Sequence, residues 1–89
     1  MAQDILGFVT GALKGMNYDV SGVTEATDLG PAGLGVESLA VAELAVRVED
    51  EFGVTFSDED AGAHASMTLG ELAAEVASRI AVLARGVGE

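Results

Sequence analysis

The sequence predicts an all-α fold: a small bundle of three main helices and one short helix, with a long loop between helices 1 and 2. Three observations predict it. Apolar residues recur at i, i+3, i+4 and i+7 in three separate stretches. No apolar–polar alternation of the kind that marks a strand persists anywhere. Helix-opening and helix-closing residues stand at the ends of the stretches.

Helix 1 follows from Ile5, Leu6, Val9, Ala12, Leu13 and Met16, which share one face at helical spacing. Gly7, Gly11 and Gly15 weaken it, each by up to about 1 kcal/mol against alanine, so tertiary packing has to hold it. Residues 17 to 37 read as a loop rich in Gly, Asp and Thr, with the only proline, Pro31. A loop of that length within a small domain has, as a rule, a functional reason. Helix 2 starts at Ser38 and runs to about Phe52, where Gly53 stops it. Its core stripe is Val41, Leu44, Ala45, Val48 and Phe52. The opposite face, Leu39, Ala42, Glu43, Val46, Arg47 and Asp50, is part apolar and part charged. Ser57, with Asp58, Glu59 and Asp60 behind it, caps a short helix near residues 58 to 64. Thr68 and Glu71 fit a capping box that opens the last helix, with Leu69, Leu72, Val76, Ile80 and Leu83 inward and its end fading at Gly86. No internal repeat or second hydrophobic unit is present, so residues 1–89 are expected to form a single domain.

Composition narrows the function. A chain of 89 residues buries somewhat over about 60% of its unfolded surface, which leaves a thin core with little room for an enclosed active site. Apolar residues make up 49% but aromatics only 4%, so the core is built from Ala, Val and Leu. The formal charge of −11 repels nucleic-acid phosphates and anionic lipid, and favours steered encounters with basic protein surfaces. With no cysteine, disulfides, thiolate zinc sites and a thiol nucleophile of the chain's own are excluded. No apolar run approaches a membrane span and no signal peptide is evident, so a cytoplasmic, monomeric protein starting at its own Met1 is expected.

Candidate catalytic motifs fail on their spacing. The only histidine, His64, sits in Ala-Gly-Ala-His-Ala-Ser and reads as a surface or loop residue; neither it nor Ser38 comes with a G-x-S-x-G elbow. Asp58 to Leu69 has Ala63 where a calcium loop needs glycine and Leu69 where it needs a bidentate glutamate. Gly30-Pro31-Ala32-Gly33-Leu34-Gly35 lacks the Gly-Lys-Ser/Thr of a phosphate cradle and reads as a set of turn formers before helix 2. No enzyme activity is expected.

Ser38 taken alone is a helix cap worth about 1 kcal/mol. Its surroundings give it more weight. Gly35-Val36-Glu37-Ser38-Leu39, then Glu43-Leu44, then Glu49-Asp50-Glu51-Phe52-Gly53-Val54 and Phe56-Ser57-Asp58-Glu59-Asp60-Ala61, resembles the acyl and peptidyl carrier protein family. With the last helix led by Thr68, the resemblance covers almost the whole chain.

The resemblance implies that Ser38 receives 4′-phosphopantetheine through a phosphodiester, installed from coenzyme A by a separate phosphopantetheinyl transferase. Glu37 and Leu39 then flank the arm. The arm's thiol carries acyl cargo as a thioester, which either swings out or tucks between helices. The resemblance also makes helix 2 the docking surface for the transferase and for a ketosynthase, acyltransferase or other acyl-processing enzyme. Leu39, Ala42 and Val46 form its apolar part, and Glu43, Glu49 and Asp50 steer basic partners. Two positions depart from the family pattern: Glu37 stands where aspartate is usual, and Ala40 is neutral where an acid is common. Both fit a carrier of polyketide or related natural-product biosynthesis better than one of fatty acid synthesis. A peptidyl carrier and an unmodified acidic interaction protein are the alternatives.

Overall fold

The computed structural model describes residues 2–84. It contains α1 (Ala2–Gly15), α2 (Ser38–Phe52), α3 (Asp58–His64) and α4 (Leu69–Ala84). This is the all-α arrangement of three main helices and one short one, with the long connection between α1 and α2. The expected fading of α4 at Gly86 lies outside the described residues.

Each helix ends where its local chemistry requires. After α1, Asn17 takes a left-handed φ of 73°, and the N–H groups of Asn17 and Tyr18 close back on Lys14 and Leu13. That pair of bonds satisfies the last carbonyls of the helix. Gly53 ends α2 at φ 73°, its N–H reaching the Glu49 carbonyl at 2.8 Å. Ser57 and Asp60 form a reciprocal capping box on α3. Thr68 and Glu71 do the same for α4, with bonds of 2.9 and 3.1 Å.

α1 packs chiefly on α4, while α2 packs on α3 and α1. Ile5, Val9 and Leu13 of α1, Val41, Leu44 and Val48 of α2, and Leu69, Leu72, Ala73 and Val76 of α4 make one buried cluster. Phe8 and Phe52 close it with an edge-to-face contact, centroids 5.4 Å apart. Phe52 itself is half-buried.

Three expectations need correction. Ser38 does not cap α2: the cap residue is Glu37, extended at φ −73° and ψ 157°, and no side chain caps the helix. Ser38 is already in the first turn, because the first intrahelical bond runs from the Val41 N–H to the Glu37 carbonyl. Leu83 is 55% exposed, since it lines an open groove beside Gly53, Val54 and Thr55 rather than the core, and Ile80 is only half-buried. His64, expected at the surface, is 2% exposed.

The long loop is not loose. Leu29 and Val36 enter the core, and Asp28 pairs with Thr68 in an isolated antiparallel bridge. The Leu29 N–H reaches the Met67 carbonyl, and the N–H groups of Leu69 and Gly70 reach Thr27 and Glu25. These bonds fasten the loop to the start of α4.

Candidate functional site

Ser38 is placed by a chain of backbone bonds that begins at Met67, just before α4. Leu29 is held by Met67; Leu34 and Val36 then donate to Asp28 and Leu29 at 2.8 and 2.7 Å. Gly35 donates to Gly30 at 2.8 Å with a left-handed φ of 68°. Gly33 passes so close to Asp28 that a Cβ there would overlap the Asp28 carbonyl oxygen and lie 2.8 Å from its nitrogen. The turn formers of this segment therefore build a compact loop whose last buried residue, Val36, lies two positions before Ser38.

From that anchor the chain turns outward. Glu37, Ser38 and Leu39 are all exposed, Leu39 to 82%. The Glu37 N–H points at the Tyr18 hydroxyl across a long 3.5 Å. α2 has no side-chain cap, so no cap side chain takes up its first-turn amides, and Ser38 stands in that first turn, at the positive end of the helix dipole. An open groove of about 430 Å³ starts at Ser38 and runs between α2 and α3, lined by Val41, Ala42, Asp58, Gly62 and Ala65.

The outer face of α2 is as the spacing predicts. Leu39, Ala42, Glu43, Val46, Arg47 and Asp50 are exposed, Val46 to 53%. Glu43 is not a free charge, because Arg47 holds its Oε2 at 2.9 Å one turn on. Glu49 stands apart from this face. It is half-buried, and its Oε2 accepts the Phe56 N–H at 2.7 Å, tying α2 to the next connection.

His64 lies on the inner side of α3, among Val41, Leu44, Ala45, Val48, Phe56 and Leu72. Its ring meets Phe56 edge-on at 4.7 Å, and its Nε2 is buried without a hydrogen-bond partner. Burial pushes its pKa down, against the pull of Glu75 and Asp60 and with the push of Arg79. An interior imidazole and an exposed serine do not make a nucleophile–base pair. Among the described residues, no group of three or more His, Asp or Glu side chains gathers to hold a metal ion, and no helix is long and apolar enough to cross a membrane.

Sequence reasoning missed Tyr18, Leu29 and Val36, the residues that position the α2 start. None carries a periodic signal, since each is an isolated apolar or aromatic residue in a loop. It also missed Arg79, which bonds Asp60, Glu75 and the Thr55 carbonyl and lies 5.2 Å over the Phe56 ring.

A family model described as phosphopantetheine attachment site matches residues 16–76. That span runs from the end of α1 into α4 and contains the whole loop, α2 and α3. No curated protein and no solved structure matches the chain.

Proposed function

This chain belongs to the phosphopantetheine attachment site family, and we propose that Ser38 is its attachment residue and acyl intermediates its cargo. Members of this kind are carriers of covalent 4′-phosphopantetheine and are not catalytic themselves. They work with a phosphopantetheinyl transferase and with acyl-processing enzymes.

The observation that carries the assignment is the exposed hydroxyl of Ser38 on the open first turn of α2, inside the matched span. The fit is physical. A phosphodiester on Oγ is an anion, and uncapped first-turn N–H groups stabilise an anion there. The groove beside Ser38 leaves room for an arm on one side, and exposed Leu39 lies on the other. When bound, the group supplies a terminal thiol that this cysteine-free chain lacks, and a thioester can form on it. The chain's own part is to hold the tether on a fixed backbone.

Leu39, Ala42 and Val46 supply apolar contact to partner enzymes, with Asp50 and the Arg47-paired Glu43 at the rim. A face this small suits short-lived complexes, as a carrier that visits several enzymes requires. Glu49, engaged with Phe56, serves the fold in this reading rather than the partner. The acidic outer face favours acyl over aminoacyl loading, and Glu37 and Ala40 favour a natural-product pathway.

Incubation with coenzyme A and a broad-range phosphopantetheinyl transferase, read by intact mass, tests the assignment. The wild type should gain one cofactor mass and Ser38→Ala none. No gain in the wild type, or a gain retained in the variant, overturns it. Loading the product with an acyltransferase or with an adenylating enzyme tests the cargo class; aminoacylation alone would overturn the acyl reading.

A further inference from the structure

α3 is the weakest element of the bundle by its own sequence. It spans only Asp58–His64, contains Gly62, and is too short to be helical by itself. His64, its last residue, is the one polar side chain buried among the described residues. Its ring fills the space between α2 and Leu72, where a hydrophobic residue would be ordinary. A buried nitrogen without a partner costs about 1–3 kcal/mol, so this position calls for a physical reason.

We propose that His64 is a proton-operated latch on α3: the neutral ring holds the short helix against α2, and the protonated ring releases it while α1, α2 and α4 stay folded.

The charges around the ring explain why the proton favours release. From α2 only Val41, Leu44, Ala45 and Val48 face it, none of which can share a positive charge. From α4 it meets Leu72, with Glu75 and Arg79 near enough to act on its charge; from α3 itself, Asp60. Both carboxylates are already taken by Arg79, at 2.8 Å to Glu75 and 3.0 Å to Asp60. An imidazolium in that position would be desolvated, its nearest anions bound to another cation. Release exposes the ring to water and parts one half-buried ion pair, Asp60 to Arg79, together with the ring's edge contact to Phe56. The groove beside Ser38 has α3 as one wall, so the same event widens it.

The sign follows from linkage. Burial sets the folded pKa of His64 below its ordinary 6.5. The released or unfolded state therefore binds the proton more tightly. The latch is fully closed above the ordinary value and weakens as pH falls from there toward the folded pKa.

Because His64 is the only histidine, its titration can be followed directly by NMR on the unmodified chain. Its folded pKa should lie below 6.5. In hydrogen exchange corrected for intrinsic rates, α3 opening should rise by up to about tenfold per pH unit below the ordinary histidine value of 6.5, the limit for one linked proton. α4 should not follow. His64→Leu, which fills the same apolar space, should remove that α3-specific rise, and His64→Gln gives a second non-titrating variant if the leucine packs badly. An NMR pKa at or above 6.5, α3 and α4 opening together, or an unchanged α3 rise in both variants overturns the proposal. The test needs no phosphopantetheine, so its outcome is separate from that of the carrier assignment.

Discussion

The two connections that flank α2 solve opposite problems. The loop from residue 17 to 37 has almost no regular structure, yet it is held by backbone. Its N–H groups bond within the loop to the carbonyls of Asp28, Leu29 and Gly30, and its Leu29 N–H reaches Met67. Its Thr27 and Glu25 carbonyls accept from Leu69 and Gly70, and Leu29 and Val36 sink into the core. The segment from Val54 to Met67 contains a proper helix, yet it is held by side chains. His64 inserts inward, Arg79 grips Asp60 and the Thr55 carbonyl, and Glu49 reaches the Phe56 N–H. Backbone bonds between closely packed strands of chain have few alternative geometries, whereas a side-chain contact can break and re-form without moving its neighbours. The loop thus fixes Ser38, and α3 is the part free to move.

The sharpest way to break the comparison is Gly33→Ala. The new Cβ would overlap the backbone of Asp28, with 2.8 Å to its nitrogen and 2.9 Å to its carbonyl carbon, and backbone cannot swing aside. Urea denaturation should show a loss of about 3 kcal/mol, the upper range for overpacking. A loss below the common surface level of about 0.5 kcal/mol would mean the loop is loose after all. Next in size, Ser57→Ala removes half of the α3 capping box and should cost about 1 kcal/mol. Hydrogen exchange should place that loss in α3 alone. If α2 or α4 amides lose the same protection, the short helix is not a separate unit.

The smallest effect on stability belongs to the outer face of α2. Leu39→Ala with Val46→Ala should change stability by less than about 0.5 kcal/mol, because both side chains are already in water. The same double variant should slow arm transfer by the phosphopantetheinyl transferase about tenfold or more, as loss of an interface anchor does. Unchanged transfer kinetics would remove the docking role from that face.

The parts legible in the sequence are those where one residue's neighbours along the chain decide its state. α2 begins and ends at the expected Ser38 and Phe52 because an apolar stripe of period 3.6 runs into a glycine. The cap at Ser57 and the box at Thr68 form because each hydroxyl finds the N–H three residues on. Where the decision belongs to a distant neighbour, the reading failed. His64 looked like a surface residue among alanines, and only the joint packing of α2, α4 and Phe56 buries it. Leu83 fits the stripe of α4 but lines an open groove beside Gly53, Val54 and Thr55 instead of the core. The cap moved from Ser38 to Glu37 because the loop delivers the chain already extended at Glu37, a matter of φ and ψ that side-chain type does not set.

By itself, then, the sequence determined the number and order of the helices, the core stripe of α2 and the carrier-like string around Ser38, since these depend on periodicity and on contacts a few residues apart. The tertiary structure decided that the loop is pinned to the start of α4, that Glu49 accepts the Phe56 N–H and that a lone imidazole ends up sealed inside. Each of those outcomes depends on groups far apart in the chain being pressed together and shut off from water, which no local pattern records.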